Sequence, residues 1–425
     1  MKRLLVVEDN RITGNLIRNR IAAALPEVQV DWAQSLAETL RFLDRPQPEA
    51  VYFAALLDYV LPDAPGGEVI DAVTAAGVPS VVFTANMFSP AERERLWRKA
   101  IVDYVIKDEQ SLNYVVGLLA RLEKNPATKV LVVDDSRFFR VVLTRLLRVH
   151  RYQVFEAADG EAGLAVLARH PDVRLVITDC MMPKMDGFTF IRRLRRDHPR
   201  DRLAVLGLAS EREPDTGARL LKTGADDFIS KKHFLTEEFY CRVHQALENL
   251  ERIETIRRLA TTDPLTGLYN RRHFYDSAAH LVAAARRNRT PVACAMIDID
   301  HFKRINDHWG HQVGDAALKH VAGVLAGHFR RGADLLARTG GEEFSVLICG
   351  LAPEAAAEQC ERLRRRLADT PFPLPDGTKL QITASIGLCT RNVGDLDSLL
   401  RHADGLLYEA KRAGRNRLCS DLPVA

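Results

Sequence analysis

The feature that most constrains this chain is a repeat. Lys2-Arg3-Leu4-Leu5-Val6-Val7-Glu8-Asp9-Asn10 returns 127 residues later as Lys129-Val130-Leu131-Val132-Val133-Asp134-Asp135-Ser136. Each copy is a short apolar run that ends in two acids. A strand buried on both faces reads as a continuous apolar run, and in an open parallel sheet its carboxyl end opens on a polar site. An amphipathic helical stretch follows each copy, Thr13–Leu25 and Phe138–Val149. In the second copy, further strand-like runs stand at Gln153–Glu156, Leu175–Thr178, Leu203–Leu208 and Asp227–Ser230. Strands alternating with helices imply βαβ units, and so a parallel sheet with helices on both faces. The spacing predicts two tandem α/β domains, at 1–124 and 127–245, joined by the polar Glu123-Lys124-Asn125-Pro126-Ala127-Thr128.

Composition agrees with a multidomain globular chain. The 425 residues suit about two to four domains. At 47% apolar and 27% charged the chain is close to the average for soluble domains. No apolar run approaches the roughly 18–20 residues of a membrane span, and the N-terminus turns acidic too soon for a signal peptide. Seven cysteines without a CxxC pair predict reduced thiols and a cytoplasmic protein. The net charge of +4 divides into −3 over residues 1–125, +3 over 126–250 and +4 over 251–425. That is too mild to argue for nucleic acid, but it is compatible with a phosphate-bearing ligand in the last third.

Residues 237–260 contain neither Gly nor Pro, and Phe239, Val243, Ala246, Leu250 and Ile253 step by four and three. Ile256 and Ala260 continue the stripe after a phase slip. This predicts one long helix over 237–262 that forms a two-helix seam, in preference to packing on its own domain. Thr262-Asp263-Pro264 stops it. The segment 263–425 lacks the acidic-strand repeat and reads as α+β. Strand Pro291–Ile297, helix Asp315–Phe329 and a hairpin of Leu335–Thr339 with Phe344–Ile348 are followed by helix 354–368, strand 380–389 and helix 396–413.

In the second repeat Asp134 and Asp135 end the first strand, Asp179 the third and Lys231 the fifth. Carboxylates this close repel unless a divalent cation joins them. A bound Mg²⁺ and a lysine would stabilise a phosphoryl group during transfer to a carboxylate. The first repeat offers Glu8, Asp9, Asp58, Thr84 and Lys107. These patterns resemble the receiver domains of two-component response regulators, which have a flavodoxin-like (CheY-like) fold. The resemblance implies Asp58 and Asp179 as acceptors of a phosphoryl group from a histidine kinase, and Glu8, Asp9, Asp134 and Asp135 as Mg²⁺ ligands. It implies Thr84, Tyr104 and Lys107 as switch residues of the first copy, and Phe228 and Lys231 of the second. There the switch hydroxyl position falls on Ala209, with Ser210 beside it. An alternative is that one receiver serves only as an unphosphorylated adaptor.

In the C-terminal segment, Met296-Ile297-Asp298-Ile299-Asp300-His301-Phe302-Lys303 ends a buried strand in two carboxylates. Gly340-Gly341-Glu342-Glu343-Phe344 supplies two more at a tight hairpin tip, where glycine lets a bulky ligand lie against the backbone. Asp298 and Glu342 on neighbouring strands would hold a hard cation. Lys411 and Arg415, four apart on a helix end, suit phosphate oxygens. Together these describe a nucleotide site. With Asp263-Pro264-Leu265-Thr266-Gly267-Leu268-Tyr269-Asn270-Arg271-Arg272, Asn306-Asp307, Gly310-His311 and Gly314-Asp315, the set resembles the GGDEF family of diguanylate cyclases, whose fold is like that of nucleotidyl cyclases. The order receiver–receiver–GGDEF matches the PleD-type response regulators.

The resemblance implies that two GTP molecules meet across a homodimer, forming cyclic di-GMP and pyrophosphate. It assigns Mg²⁺ (or Mn²⁺) to Asp298, the Ile299 carbonyl and Glu342, with Glu343 helping the metal or accepting the 3′-OH proton. Asn306 and Asp315 would bond guanine, and His311, Gly340 and Gly341 line the site. Phe302 and Lys303 would touch the phosphates, Lys303 offsetting developing charge, and Lys411 and Arg415 would clamp the terminal ones. Arg331 and Asp334 match the family's inhibitory RxxD site for cyclic di-GMP, with Arg362 as its secondary arginine. A rival reading is a catalytically silent GGDEF protein that binds cyclic di-GMP or GTP. A DNA-binding regulator is disfavoured, because no helix-turn-helix pattern is present.

Overall fold

The computed structural model describes residues 2–45, 51–108, 111–209, 215–329, 334–374, 377–391 and 395–422. The chain divides into two compact units, Met1–Ile253 and Glu254–Ala425.

The first unit holds both repeats. Strands β1 (Lys2–Val7), β2 (Val28–Ala33), β3 (Tyr52–Leu57), β4 (Ser80–Thr84) and β5 (Asp103–Ile106) form an all-parallel sheet in the order β2-β1-β3-β4-β5. The second repeat has the same order, β7 (Gln153–Ala157), β6 (Lys129–Val133), β8 (Val173–Asp179), β9 (Ala204–Ala209) and β10 (Asp227–Ser230), again parallel throughout. Alternate residues of each first strand feed opposite faces: Leu5 and Val7 join one cluster, Leu4 and Val6 the other. Leu131 and Val133 divide from Val130 and Val132 in the same way. The uninterrupted apolar runs are thus explained by helices on both sides. Asn10 and Ser136, placed just after the acid pairs, cap the helices Arg11–Ala24 and Arg137–Val149 through their side-chain oxygens.

The helix Thr236–Thr261 is continuous, but its stripe differs from the expected seam. Phe239, Tyr240, Val243, Ala246 and Leu250 are buried in the second repeat's own core, against Val130, Leu143 and Ile229. Beyond Leu250 the apolar residues Ile253, Ile256 and Leu259 are exposed, at 40, 66 and 67%, and so is Ala260. The phase slip marks the point where the helix leaves its domain.

The second unit is α+β. Its sheet runs β11 (Tyr269–Asn270), β13 (Leu335–Arg338), β14 (Glu343–Cys349), β12 (Val292–Ile299), β17 (Ala384–Cys389) and β18 (Leu418–Ser420). Strand β12 lies antiparallel between β14 and β17. The expected strand at 380–389 is two pieces: β16 (Lys379–Leu380) pairs with β15 (Phe372–Pro373), and only β17 enters the main sheet. The expected helix 315–329 starts earlier, at His311, and follows a separate helix Phe302–Trp309, the two joined through Gly310 at φ +82°. No helix among the described residues is long and apolar enough to cross a membrane.

Candidate functional site

The C-terminal site is assembled where β12 ends beside the β13–β14 hairpin. Asp298 stands opposite Glu343 on one side and Ser385 on the other. The Ile299 N–H donates to the Glu342 carbonyl at 3.3 Å. The tip is narrow because both Thr339 and Gly340 N–H groups donate to the Glu343 carbonyl. A Cβ on Gly340 would collide with the Glu343 side chain, whereas the space above Gly341 is open. The tip is also pinned from below. Arg338 donates to the Gly341 carbonyl (Nη2, 2.6 Å) and through Nη1 to both oxygens of Asp263 at 3.2 Å. Arg338 was not singled out from the sequence; its position two residues before the glycine pair was the available signal.

Asp298 is buried, and Lys411 Nζ lies 2.7 Å from its Oδ2. Burial lifts the Asp298 carboxyl above the usual carboxylate range; Lys411 opposes the lift, and the charges of Glu343 and Asp300 add to it. Burial, then the charge of Asp298, raises Glu342 in the same direction. Two desolvated carboxylates, with an ammonium drawn onto the more buried one, fit a divalent cation between Asp298 and Glu342. Glu343 is not drawn into a three-carboxylate cluster with them among the described residues. The Phe302 ring is buried in the core, so what it can offer a ligand is its N–H in the first helical turn. Lys303, His311 and Asp315 are exposed. Asn306 lies directly over Gly314, where a Cβ would overlap its Oδ1. Arg415 does not share the helix of Lys411. That helix ends at Arg412, Gly414 takes φ +112°, and the Arg415 N–H folds back to the Ala410 carbonyl at 3.1 Å. Of the inhibitory pattern, Arg331 lies outside the described residues, and Arg362 is exposed and paired with Glu358 at 2.6 Å. Asp334 immediately precedes β13.

Each repeat carries an acidic pocket at the carboxyl edge of its sheet. Glu8, Asp9 and Asp58 bring one oxygen each to within 4.8 Å of one another, and so do Asp134, Asp135 and Asp179. Lys107 Nζ bridges Glu8 (2.7 Å) and Asp58. Lys231 Nζ bridges Asp134 (2.7 Å) and Asp179 (2.6 Å). Burial raises the Glu8 and Asp134 carboxyls against the pull of these lysines. The register also aligns Thr84 of the first repeat with Ala209 of the second. The Lys107 N–H donates to the carbonyl of Thr84, and the Lys231 N–H to that of Ala209. The second repeat thus presents a methyl where the first has a hydroxyl; Ser210 lies outside the described residues. Thr84 Oγ1 accepts from the Asn86 N–H at 3.2 Å. Tyr104 packs edge-on against Phe88, and the Phe228 ring lies against Gly217.

Response regulator PleD of Caulobacter vibrioides is 31% identical over 461 aligned positions, covering 97% of this chain and 98% of PleD. The chain belongs to the PleD-type response-regulator family. The family descriptions "Diguanylate cyclase, GGDEF domain" and "Response regulator receiver domain" match residues 260–417 and 130–240. Diguanylate cyclase DgcP of Pseudomonas aeruginosa is 44% identical over 167 positions, 39% of this chain and 25% of DgcP. A solved putative two-component response regulator/GGDEF protein is 37% identical and superposes with a TM-score of 0.53, over 59% of this chain and all of that one.

In this PleD-type chain the first receiver is wired to the long helix by aromatic rings. Trp97 lies 6.0 Å from Tyr104 and 5.7 Å from Tyr240, centroid to centroid. Tyr240 in turn covers His150 at 3.8 Å. His150 Nε2 is 3.0 Å from the Val102 carbonyl and its Nδ1 is 3.2 Å from His244. Burial, then the neighbouring His244, holds His150 well below its ordinary value, and burial pushes His244 down to about 3. Both rings are therefore neutral at physiological pH. Arg151 closes the junction by donating to the Phe53 carbonyl at 3.1 Å. Three of these contacts, Trp97 to Tyr240, His150 to Val102 and Arg151 to Phe53, join the two receivers, and no local motif announces them.

Proposed function

We propose that this response regulator is a phosphorylation-controlled diguanylate cyclase. The observation that carries this reading is the meeting of Asp298, Glu342 and Lys411 beside an open glycine tip. Two carboxylates, a lysine and a surface without side chains at one strand end suit a nucleoside triphosphate. In the reaction, the 3′-OH of one GTP attacks the α-phosphate of the other, a P–O bond forms, and the bond to the β-phosphate breaks to release pyrophosphate. Two such events across a C₂ dimer give cyclic di-GMP and two pyrophosphates. Mg²⁺ or Mn²⁺, when held by Asp298, the Ile299 carbonyl and Glu342, supplies charge neutralisation at the reacting phosphate. Glu343 accepts the 3′-OH proton. Asn306 and Asp315 bond the guanine edge, the Lys303 ammonium offsets charge that builds on the phosphate, and Lys411, released from Asp298, turns with Arg415 to the terminal phosphates.

Control enters through the receivers. Phosphorylation of Asp58 by a histidine kinase, with Asp179 as a second candidate, adds charge beside Lys107 and Thr84 and so biases the aromatic contacts toward Tyr240. Cyclic di-GMP inhibits at Arg331, Asp334 and Arg362. The test is incubation of the pure protein with GTP and Mg²⁺, with and without beryllofluoride. Cyclic di-GMP should appear, faster with beryllofluoride, and Glu343→Gln should abolish it while GTP still binds. Undiminished synthesis by Glu343→Gln would sink the assignment. Binding of nucleotide by the unaltered protein without turnover would favour the silent receptor.

A further inference from the structure

The second carboxylate of the Asp298-Ile299-Asp300 run has a different task from the first. Asp300 is buried, at 7% exposure. Its Oδ1 accepts from Ser385 Oγ at 2.6 Å, and its Oδ2 from Thr383 Oγ1 at 2.8 Å and from the Asn416 N–H at 2.9 Å. A carboxylate has about four acceptor sites, so three donors leave little for a cation. The contact to Asn416 reaches across 116 residues, into the turn that carries Arg415.

That turn is strained. Gly414, Arg415 and Asn416 take φ of +112°, +63° and +43° in succession. Side chains other than glycine persist in this region only where the surroundings hold them. Two groups hold Asn416. Asp300 takes its N–H, and Arg364 donates through Nη1 to its carbonyl (3.2 Å) and its Oδ1 (2.7 Å). Arg364 is itself fixed by Glu361 at 2.9 and 2.7 Å. We propose that Asp300, together with Arg364, is a positioning residue that holds the 414–416 turn in the form presenting Arg415 to the terminal phosphates of GTP. The proposal rests on the phosphate role assigned to Arg415 above.

The test is a double-mutant cycle in the full-length protein. Calorimetry with Mg²⁺ would compare an α,β-methylene analogue of GTP with GMP, which lacks the terminal phosphates. Asp300→Ala and Arg364→Gln should each weaken the triphosphate analogue about tenfold, the value of one charge-assisted hydrogen bond, and leave GMP within about twofold. Neither should cause a further loss in an Arg415→Ala background. Asp300→Asn should recover most of the affinity, because its amide keeps an acceptor for the Asn416 N–H while Ser385 turns to accept. Arg364→Gln, on a helix surface, answers the question should Asp300→Ala fail to fold. Equal losses for GMP and the analogue, or losses that add to that of Arg415→Ala, would overturn the proposal. If Arg415→Ala alone leaves the analogue's affinity unchanged, the phosphate role fails and the positioning role with it. If the cycle holds but no cyclic di-GMP is made, the positioning role stands and only the turnover reading falls.

Discussion

Replacing Lys107 with Met tests the electrostatic design of the first receiver. Lys107 lies between Glu8 and Asp58, with 18% of its side chain exposed, while Glu8 is almost wholly buried. Without the ammonium, Glu8, Asp9 and Asp58 face one another with oxygens within 4.8 Å. Two full charges at that distance and an effective dielectric constant near 20 repel by about 3.5 kcal/mol. The pocket escapes by taking up a proton, which caps the loss. Starting from the ordinary value of 4.5 for Glu8, keeping one carboxyl protonated costs about 1.36 kcal/mol per pH unit, hence about 3.4 kcal/mol at pH 7 and about 0.7 at pH 5. The sign follows from linkage. Glu8 is raised in the folded protein, so the folded state binds more protons, and stability falls as pH rises above 4.5 toward the folded value. Lys107→Met raises that value further and widens the window. The loss is therefore largest at neutral pH, and millimolar Mg²⁺ should reverse it. Trp32 makes a natural reporter, because its indole N–H donates to the Glu8 carbonyl at 2.8 Å. The assay is urea unfolding followed by tryptophan fluorescence, with Trp97 and Trp309 replaced by Phe in both proteins. A loss equal at pH 5 and pH 7, or indifferent to Mg²⁺, would refute the reasoning.

Three further outcomes are expected. Asp58→Asn should leave synthesis of cyclic di-GMP within about twofold of its basal rate when beryllofluoride is added, and unchanged activation would move the input to Asp179. Trp97→Ala removes the ring between Tyr104 and Tyr240; beryllofluoride should still be bound and basal turnover kept, but activation lost, and full activation would dismiss the aromatic route. Gly314→Ala drives a Cβ into Asn306 Oδ1, so KM for GTP should rise about tenfold, the value of about one hydrogen bond, with kcat little changed. A normal KM would remove Asn306 from the guanine site.

Much was legible because it is written locally. The acid-ended runs at Val7 and Val133 announce buried parallel strands, and the paired glycines at 340–341 announce a tight hairpin tip with open space above Gly341. Counting along the repeat aligns Ala209 with Thr84, and the two share a register, each giving its carbonyl to the N–H of the lysine that follows the fifth strand. The stripe of Thr236–Thr261 was misread for a physical reason. Apolar spacing says that a face will be buried, not by what, and here the second receiver's own sheet covers it as far as Leu250.

By itself, then, the sequence determined the repeat, the class of each domain and which acids and bases gather at strand ends, since these depend on periodicity and residue type alone. The tertiary structure decided the partners: Lys411 on Asp298, Arg338 on Asp263, Asp300 on Asn416 and Trp97 between two domains. Such contacts join residues tens to more than a hundred positions apart. They are fixed by how the elements pack, which no local pattern encodes.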